Sequence, residues 1–342
     1  MIEKPNILEH IRKRPGMYIG ALNHYGYQEL LSYLIEDFIK SGIYEITFLL
    51  KKKNQLIIEG SGTKTFLPFL DALKHLHDYK NEKFYLSLAG IVALSKYTRI
   101  EINGVHAFRS EKGNPEFLED VQHADFNRIK IELIPDKEIF QDVILNYDLL
   151  NNFLRRFSFL NNQLKIKSID QSKTEKQINI FHYPKGLSEI IDYELEKSFS
   201  YYSSVFKLNF EKKTKFSYSL ALAFVSSYWV KPKLKIYANY KETVLGGSLL
   251  DGIFQGLKKF LNEESSKRNL KLSIRTVKLQ KHLCLYASVR GELTYLGATR
   301  WKLGTPKVQI EIKEFVYQEL KLYFTDKESQ VSGILDILQE DI

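Results

Sequence analysis

The chain has 342 residues, of which 44% are apolar and 13% aromatic, enough for two domains with hydrophobic cores of their own. Its single cysteine, Cys284, excludes an internal disulfide and a cysteine-cluster metal site, and its apolar neighbours predict a buried thiol. No apolar run approaches about 18 residues and no secretory signal is evident, which predicts a soluble, cytoplasmic protein without a membrane partner. The net charge of +9 suits a polyanion such as DNA, although a lysine-rich composition alone often gives such a value.

The first motif spans residues 11–20 and reads Ile-Arg-Lys-Arg-Pro-Gly-Met-Tyr-Ile-Gly. Pro15 fixes φ, while Gly16 and Gly20 permit angles closed to other residues, so we expect a rigid, basic elbow before a helix that begins near Tyr25. The string closely resembles the N-terminal motif of type II topoisomerase ATPase subunits, gyrase B and its topoisomerase IV counterpart. The resemblance implies an α/β fold that starts with a Bergerat-type (GHKL) ATPase-like domain, whereas activity depends on the residues of the site.

Apolar residues recur with helical spacing from Tyr27 to Ile39, and Ser41-Gly42 ends the predicted helix. Tyr33 and Asp37 lie together beside its apolar stripe. In the family, the matching positions hold a glutamate that activates water and an asparagine that holds magnesium. A phenol, with an ordinary pKa near 10, is no carboxylate base, so we expect Tyr33 to fill the nucleotide pocket and leave no catalytic residue there. Asp37 could still bind magnesium and nucleotide.

The next motif follows a predicted hairpin of strands 44–50 and 55–59 and reads Glu59-Gly60-Ser61-Gly62. It resembles the adenine loop of the family, Asp-x-Gly-x-Gly, and the resemblance makes Gly60 and Gly62 nucleotide-binding positions. Ile58 stands where the family has its adenine-binding aspartate. An aliphatic side chain accepts no hydrogen bond from the amino group of adenine, so this specificity contact is expected to be absent.

Residues 63–90 should contain the ATP lid and its glycine-rich phosphate loop, but Gly90 is their only glycine. His75 and His77 lack acidic or cysteine partners at ligand spacing, which argues against a metal site. Farther on, a strand at 128–134 has Arg128 and Ile129 where the family has a Gly-Thr pair that contributes to the adenine site. ATP and magnesium are therefore expected as cofactors only if the altered site still binds them.

The predicted domain boundary falls near residue 198, giving a GHKL-like domain at 1–198 and a transducer-like domain at 199–342. Before it, a helix at 149–160, strands at 165–169 and 178–183 and a following helix match the order in the family. After it come long alternating strands, a helix at 249–261, a strand at 283–289, a helix at 307–323 and a last helix at 331–338. This order resembles the transducer domain, a βαβ fold like that of some ribosomal proteins.

The transducer-like domain contains a loop, Ala298-Thr299-Arg300-Trp301-Lys302-Leu303, where the family has Gln-Thr-Lys-x-Lys-Leu. The family loop contacts the terminal phosphate of ATP, so the resemblance makes Thr299, Arg300 and Lys302 nucleotide-binding positions. Arg300 keeps the charge but not the compact ammonium of a lysine. Gly246-Gly247-Ser248 stands where the family has Gly-Gly-Thr-His.

Three functions remain open on the sequence alone. The first is a gyrase B-like, DNA-associated accessory protein with a non-hydrolysing ATP site, acting with or on a type II topoisomerase. The second is a divergent, ATP-hydrolysing subunit of a split type II topoisomerase whose TOPRIM part is a separate chain. The third is a protein-interaction module without nucleic acid. The expected partners are DNA bound without sequence specificity, a topoisomerase subunit or another protein, and a second copy of the chain; we expect no long N-terminal dimerisation arm.

Overall fold

The structure is a computed structural model that describes residues 6–62, 67–76, 80, 85–118, 127–140, 145–197, 206–225, 231–270, 272–297 and 300–339. The chain divides into two compact units, Met1–Tyr183 and Pro184–Ile342. Each unit packs helices against its own mixed β-sheet, so the predicted α/β class is confirmed. None of the helices among the described residues is long and apolar enough to cross a membrane.

The helices of the first unit are α1 (Ile7–Lys13), α2 (Gly16–Ile19), α3 (His24–Lys40), α4 (Leu67–Lys74), α5 (Leu86–Leu94) and α6 (Tyr147–Leu160). Its strands are β1 (Ile43–Leu50), β2 (Leu56–Gly62), β3 (Ser95–Ile102), β4 (Val105–Glu111), β5 (Asn114–Phe117), β6 (Arg128–Pro135), β7 (Lys165–Asp170) and β8 (Gln177–His182). They form one eight-stranded sheet in the order β5-β4-β3-β6-β2-β1-β7-β8. Helices α3 and α5 pack against each other and against this sheet.

The predicted elbow at residues 11–20 is two short helices joined at Arg14 and Pro15. Gly20 ends the second of them with φ of +76°, an angle that glycine adopts without strain. The sequence prediction missed α1 because seven residues are too few for a clear helical period. Pro15 stands directly before the first residue of α2, where its fixed φ suits the start of a helix.

Helix α1 is fixed to the rest of the unit by the side chain of Arg12. Its guanidinium donates to the backbone oxygen of Ala93 at 2.6 Å and to Oδ2 of Asp136 at 2.7 Å. Burial alone would raise the pKa of Asp136, but hydrogen bonds from Arg12 and from the backbone N–H of Glu138 outweigh it and hold that pKa below its usual value. The basic motif therefore contributes at least one buried, structural cation.

The second unit contains helices α7 (Leu187–Lys197), α8 (Ser248–Lys267), α9 (Thr276–His282), α10 (Pro306–Tyr323) and α11 (Glu328–Gln339). Its strands are β9 (Phe206–Lys213), β10 (Ser217–Phe224), β11 (Lys233–Ala238), β12 (Lys241–Glu242), β13 (Leu283–Arg290), β14 (Tyr295–Leu296) and β15 (Lys302–Leu303). The main sheet has the order β12-β11-β13-β10-β9, and β14 pairs with β15. Cys284 on β13 is buried and unoxidised, as predicted.

The compact units divide between Tyr183 and Pro184, 15 residues before the predicted boundary at 198. Helix α7 packs against β10 and β13, which explains the difference, because its apolar face covers the second sheet. Leu187, Ile190 and Ile191 are buried there. The assignment of an ATPase-like and a transducer-like role to the two parts stays a prediction.

Two glycines let α8 and α10 approach closely in the second unit. A Cβ atom on Gly252 would lie 2.5 Å from the backbone oxygen of Gln309, and one on Gly256 would lie 2.6 Å from that of Lys313. Both distances are too short for a side chain, so this helix pair depends on having glycine at both positions.

Candidate functional site

The face of α3 that bears Tyr33 and Asp37 is the centre of the candidate site. The helix begins where the Asn23 side chain accepts a hydrogen bond from the backbone N–H of Tyr25, and it ends before Gly42, which has φ of +81°. Its apolar stripe, predicted from Tyr27 to Ile39, packs into the core of the unit. The packing fixes both polar side chains one turn apart on neighbouring positions of the helix.

Tyr33 is half-buried and points its hydroxyl back along its own helix. The hydroxyl donates to Oε1 of Glu29 at 3.0 Å and lies 3.3 Å from the backbone oxygen of Tyr18. A hydroxyl that donates to a carboxylate and a carbonyl offers no carboxylate of its own to remove a proton from water. The position aligned with the catalytic base of the family thus holds a hydrogen-bond donor.

Asp37 is buried and pairs with a lysine that follows it on the helix. The ammonium of Lys40 lies 3.1 Å from its Oδ1. Burial opposes the charge on Lys40, but the carboxylates of Asp37 and Glu36 together outweigh that effect and raise the pKa of Lys40 above its ordinary value. The carboxylate at the predicted magnesium position is therefore paired with a lysine whose side chain is 67% exposed.

Asp37 offers a magnesium ion a single carboxylate, and that carboxylate already has a partner. Magnesium is commonly bound by one or two protein carboxylates together with waters and substrate phosphates. The described part of the chain contains no group of three or more His, Cys, Asp or Glu side chains that could hold a metal by themselves. An ion bound through Asp37 would compete with Lys40, whose ammonium lies 3.1 Å from Oδ1, and magnesium binding at this position stays a prediction. His75 is described but belongs to no such group, and His77 lies outside the described residues.

The predicted adenine loop lies on β2, where apolar side chains enclose Gly60. A Cβ atom on Gly60 would lie 3.0 Å from Ile43, 3.1 Å from Ile129 and 3.2 Å from Phe38. Ile58, which the resemblance matches with the adenine-binding aspartate of the family, is fully buried. Gly62 is half-buried and donates its backbone N–H to Asn127 at 3.2 Å. These contacts bring the predicted loop against α3 through Phe38, the residue after Asp37.

The segment between β2 and β3, where the family would have its phosphate loop, contributes more apolar packing. Phe69 on α4 is fully buried, and its ring lies 5.4 Å from that of Phe38 and 6.0 Å from that of Tyr85. Gly90 on α5 serves close packing, since a Cβ atom there would lie 2.6 Å from Leu30. Residues 63–66, 77–79 and 81–84 lie outside the described part of the chain.

The remaining predicted positions lie in the second unit, around the loop that joins β14 and β15. Arg300 is exposed, with φ of +57°, and its guanidinium lies 5.7 Å from the ring centre of Tyr295. Lys302 is exposed on β15, opposite Leu296. Thr299 and Ala298 lie outside the described residues. Two cations of the predicted triad are thus accessible to solvent within this unit.

The glycine pair at 246–247 supports this same loop. A Cβ atom on Gly247 would lie 2.1 Å from the backbone oxygen of Leu303, and the backbone N–H of Leu303 donates to Gly246 at 3.0 Å. Both glycines have positive φ, at +64° and +101°. The Ser248 hydroxyl donates to the backbone oxygen of Leu303 at 3.3 Å. The Gly-Gly-Ser motif therefore holds the end of the loop at Leu303 by hydrogen bonds and close backbone packing.

Comparison with known proteins shows which family this chain is similar to. Residues 186–341 match the model of the DNA gyrase B family. The chain is 21% identical to the B subunit of the type 2 topoisomerase of Aquifex aeolicus, covering 96% of this chain and 45% of that protein. It is 24% identical to the DNA gyrase B protein of Clostridium acetobutylicum, covering 93% of this chain and 54% of that protein. It spans about half the length of these relatives.

Solved structures show the same fold along nearly the whole chain. The 43K ATPase domain of Thermus thermophilus gyrase B, determined with an aminocoumarin, superposes with a TM-score of 0.76 at 18% identity and covers 97% of this chain and 94% of that one. The structure of the gyrase B protein from Myxococcus xanthus gives a TM-score of 0.75 at 16% identity, with 96% and 99% covered. The chain is therefore similar in sequence to the B subunits of type II topoisomerases and has the fold of their ATPase region.

Proposed function

We propose that this chain is a DNA-associated accessory protein with the architecture of the gyrase B ATPase region but without ATP turnover, acting in the cytoplasm with or on a type II topoisomerase. The observation that carries the proposal is the apolar enclosure of Gly60, with side-chain carbons of Ile43, Ile129 and Phe38 at 3.0–3.2 Å from a Cβ position. The strand that carries the predicted adenine contact is thus closely packed by apolar side chains.

The polar groups support the same proposal. Adenine recognition needs an acceptor for its amino group, and Ile58 has none. Water activation needs a base, and Tyr33 donates to Glu29 instead. A metal bound through Asp37 would compete with Lys40 for its carboxylate. Each of the three functions of an ATP site is therefore weakened by a different substitution, and we derive no catalytic step through ATP or magnesium.

The proposed role in DNA binding rests on where the positive charge lies. Residues 212–241 contain seven lysines, residues 265–291 contain seven lysines and arginines, and neither stretch contains an Asp or Glu. The two stretches include the adjacent strands β10, β11 and β13 of one sheet. Strands β11 and β13 are parallel and begin at the same end of the sheet, since Lys233 at the start of β11 pairs with Cys284 near the start of β13. Lys231 precedes β11 and Lys281 precedes β13 by two residues each, so the three lysines lie at this end. We call this region the basic end.

Duplex DNA is expected to bind at low salt without sequence preference and to be released as salt is added. Each phosphate contact contributes a slope of about −0.9 in the logarithm of the binding constant against the logarithm of salt concentration. The double substitution Lys231→Glu with Lys281→Glu should weaken binding and flatten the slope by about 2. The control, Lys52→Glu with Lys53→Glu in the first unit, should change neither the affinity nor the slope by much. Fluorescence anisotropy with a labelled duplex measures both quantities.

Two outcomes separate this proposal from its alternatives. Absence of DNA binding at low salt, or binding indifferent to salt, would favour the protein-interaction module without nucleic acid. Steady-state phosphate release from the wild-type chain, lost on Asp37→Ala, would favour the ATP-hydrolysing subunit of a split topoisomerase. The proposal expects salt-sensitive DNA binding and phosphate release no faster than that of buffer.

A further inference from the structure

The edge strand β8 of the first-unit sheet lacks the residues that usually prevent an edge strand from pairing with another strand. Among the described residues, β8 is the last strand of the sheet and pairs with β7 alone. Native edge strands are commonly protected by lysine, other charges or proline. The sequence of β8, Gln-Ile-Asn-Ile-Phe-His, contains none of these, and its outward isoleucines, Ile178 and Ile180, are 49% and 60% exposed.

The outer face beside this edge continues as an apolar row across four strands. Ile57 pairs with Leu49, Leu49 with Ile169, and Ile169 with Ile178, so the four aliphatic side chains lie side by side. Exposure increases along the row, from 5% at Ile57 to 49% at Ile178. An added strand would bury the exposed end of this row and so gain hydrophobic stabilisation.

The surroundings of the edge are basic. Lys165 and Lys167 project from the outer face of β7, and the exposed turn between β7 and β8 adds Lys173 and Lys176. Nζ of Lys165 lies 3.8 Å from Oε1 of Glu45 on β1, in an exposed pair. The acidic residues of the hairpin are Asp170 and Glu175; Asp170 is buried, and its Oδ1 accepts hydrogen bonds from Ser172. A second copy pairing through β8 would bring the same lysines together, which disfavours self-pairing. An acidic segment would instead complement them.

We propose that β8 is a docking edge for an extended, acidic segment of a partner protein, which adds to the sheet as a further strand. Main-chain hydrogen bonds to β8 supply affinity, aliphatic side chains of the segment cover Ile178 and Ile180, and its carboxylates face Lys165 and Lys167. None of the residues invoked here carries the proposed role in nucleotide or DNA binding, so the docking edge goes beyond the proposed function.

The test uses a short fluorescein-labelled peptide in which valine alternates with aspartate and glutamate, together with a matched peptide that has lysine at every acidic position. Fluorescence anisotropy against the full chain should show preferential binding of the acidic peptide. Ile180→Ser, which removes the apolar contact without changing the charge, should weaken it by about tenfold, equivalent to about 1.4 kcal/mol. Lys167→Glu should weaken the acidic peptide and strengthen the lysine peptide. Ile310→Ser, which replaces a 69% exposed isoleucine on α10, is the control and should change neither.

Equal binding of both peptides, or acidic-peptide binding that survives Ile180→Ser, would overturn the proposal. Sedimentation velocity of the wild-type chain tests the other possible occupant of the edge, a second copy of the chain. A dimer that Ile180→Ser dissociates would assign the edge to a second copy and would also overturn the proposal. Circular dichroism of each variant confirms that the exposed substitutions leave the fold intact, so a loss of binding reports on the edge itself.

Discussion

Replacement of Arg12 by alanine is expected to lower the free energy of unfolding by about 3 kcal/mol, the lower end of the range for breaking a buried ion pair. The change would leave Asp136, whose side chain is 3% exposed, without its guanidinium partner, and it would also remove the hydrogen bond to Ala93. Urea denaturation followed by circular dichroism measures the difference. Lys13→Ala, one residue along, removes a largely exposed pair with Glu9 and should cost no more than about 0.5 kcal/mol.

The Arg12 effect should also depend on pH in a defined direction. The folded-state pKa of Asp136 lies below its ordinary value, so the carboxylate contributes stability above that ordinary value and loses it as pH falls through the folded-state pKa. The difference between wild type and Arg12→Ala should therefore be full near neutral pH and shrink in acid. A cost for Arg12→Ala equal to that of Lys13→Ala, or one independent of pH, would show that the buried pair does not fix α1.

Tyr33→Glu is expected to leave ATP hydrolysis undetectable, although restoring a missing general base is commonly worth 10²–10⁴ in rate. A base acts only on a substrate held within hydrogen-bond reach, and the hydrocarbon around Gly60 and at Ile58 is unchanged by this substitution. Tyr33→Phe is the matched control, because it removes the hydroxyl without adding a base. Steady-state phosphate release, with and without DNA, measures the outcome.

Adding Ile58→Asp to Tyr33→Glu tests whether the defects are separable. The second change supplies an acceptor for adenine, but it places a carboxylate at a fully buried position, so folding must be checked by circular dichroism. We expect hydrolysis to remain absent, since Asp37 is still paired with Lys40 and the phosphate segment is unrepaired. Activity in Tyr33→Glu alone would show that the alignment of Ile58 with the adenine-binding aspartate is wrong.

The elements with long, regular periods were predictable from the sequence. Helix α3, the β1–β2 hairpin and strand β13 appear within a few residues of the predicted ranges. Helices α1 and α9, of seven residues each, were missed because they are too short for a period to emerge. The hairpin of β4 and β5 was also missed; its turn places Lys112 and Gly113 at positive φ, and the Lys-Gly pair is a weaker turn signal than Asn-Gly.

The candidate site was predictable as a set of positions but not as a set of contacts. The spacing of Tyr33 and Asp37 placed them on one face of α3, which the structure supports. The partners that change their chemistry, Glu29 and Lys40, lie four residues before Tyr33 and three after Asp37. Helical spacing of opposite charges could have indicated the second pair. The packing of Phe38 against Gly60 could not be predicted, because it depends on which residues of α3 face which residues of β2 in the folded unit.

Isothermal titration of the full chain with a nonhydrolysable ATP analogue and magnesium is the most direct test of the proposal that the chain has no working nucleotide site. The apolar enclosure of Gly60 and the Asp37–Lys40 pair predict no saturable heat of binding at analogue concentrations that saturate an intact site of this kind. Stoichiometric, magnesium-dependent binding that Asp37→Ala abolishes would contradict the account.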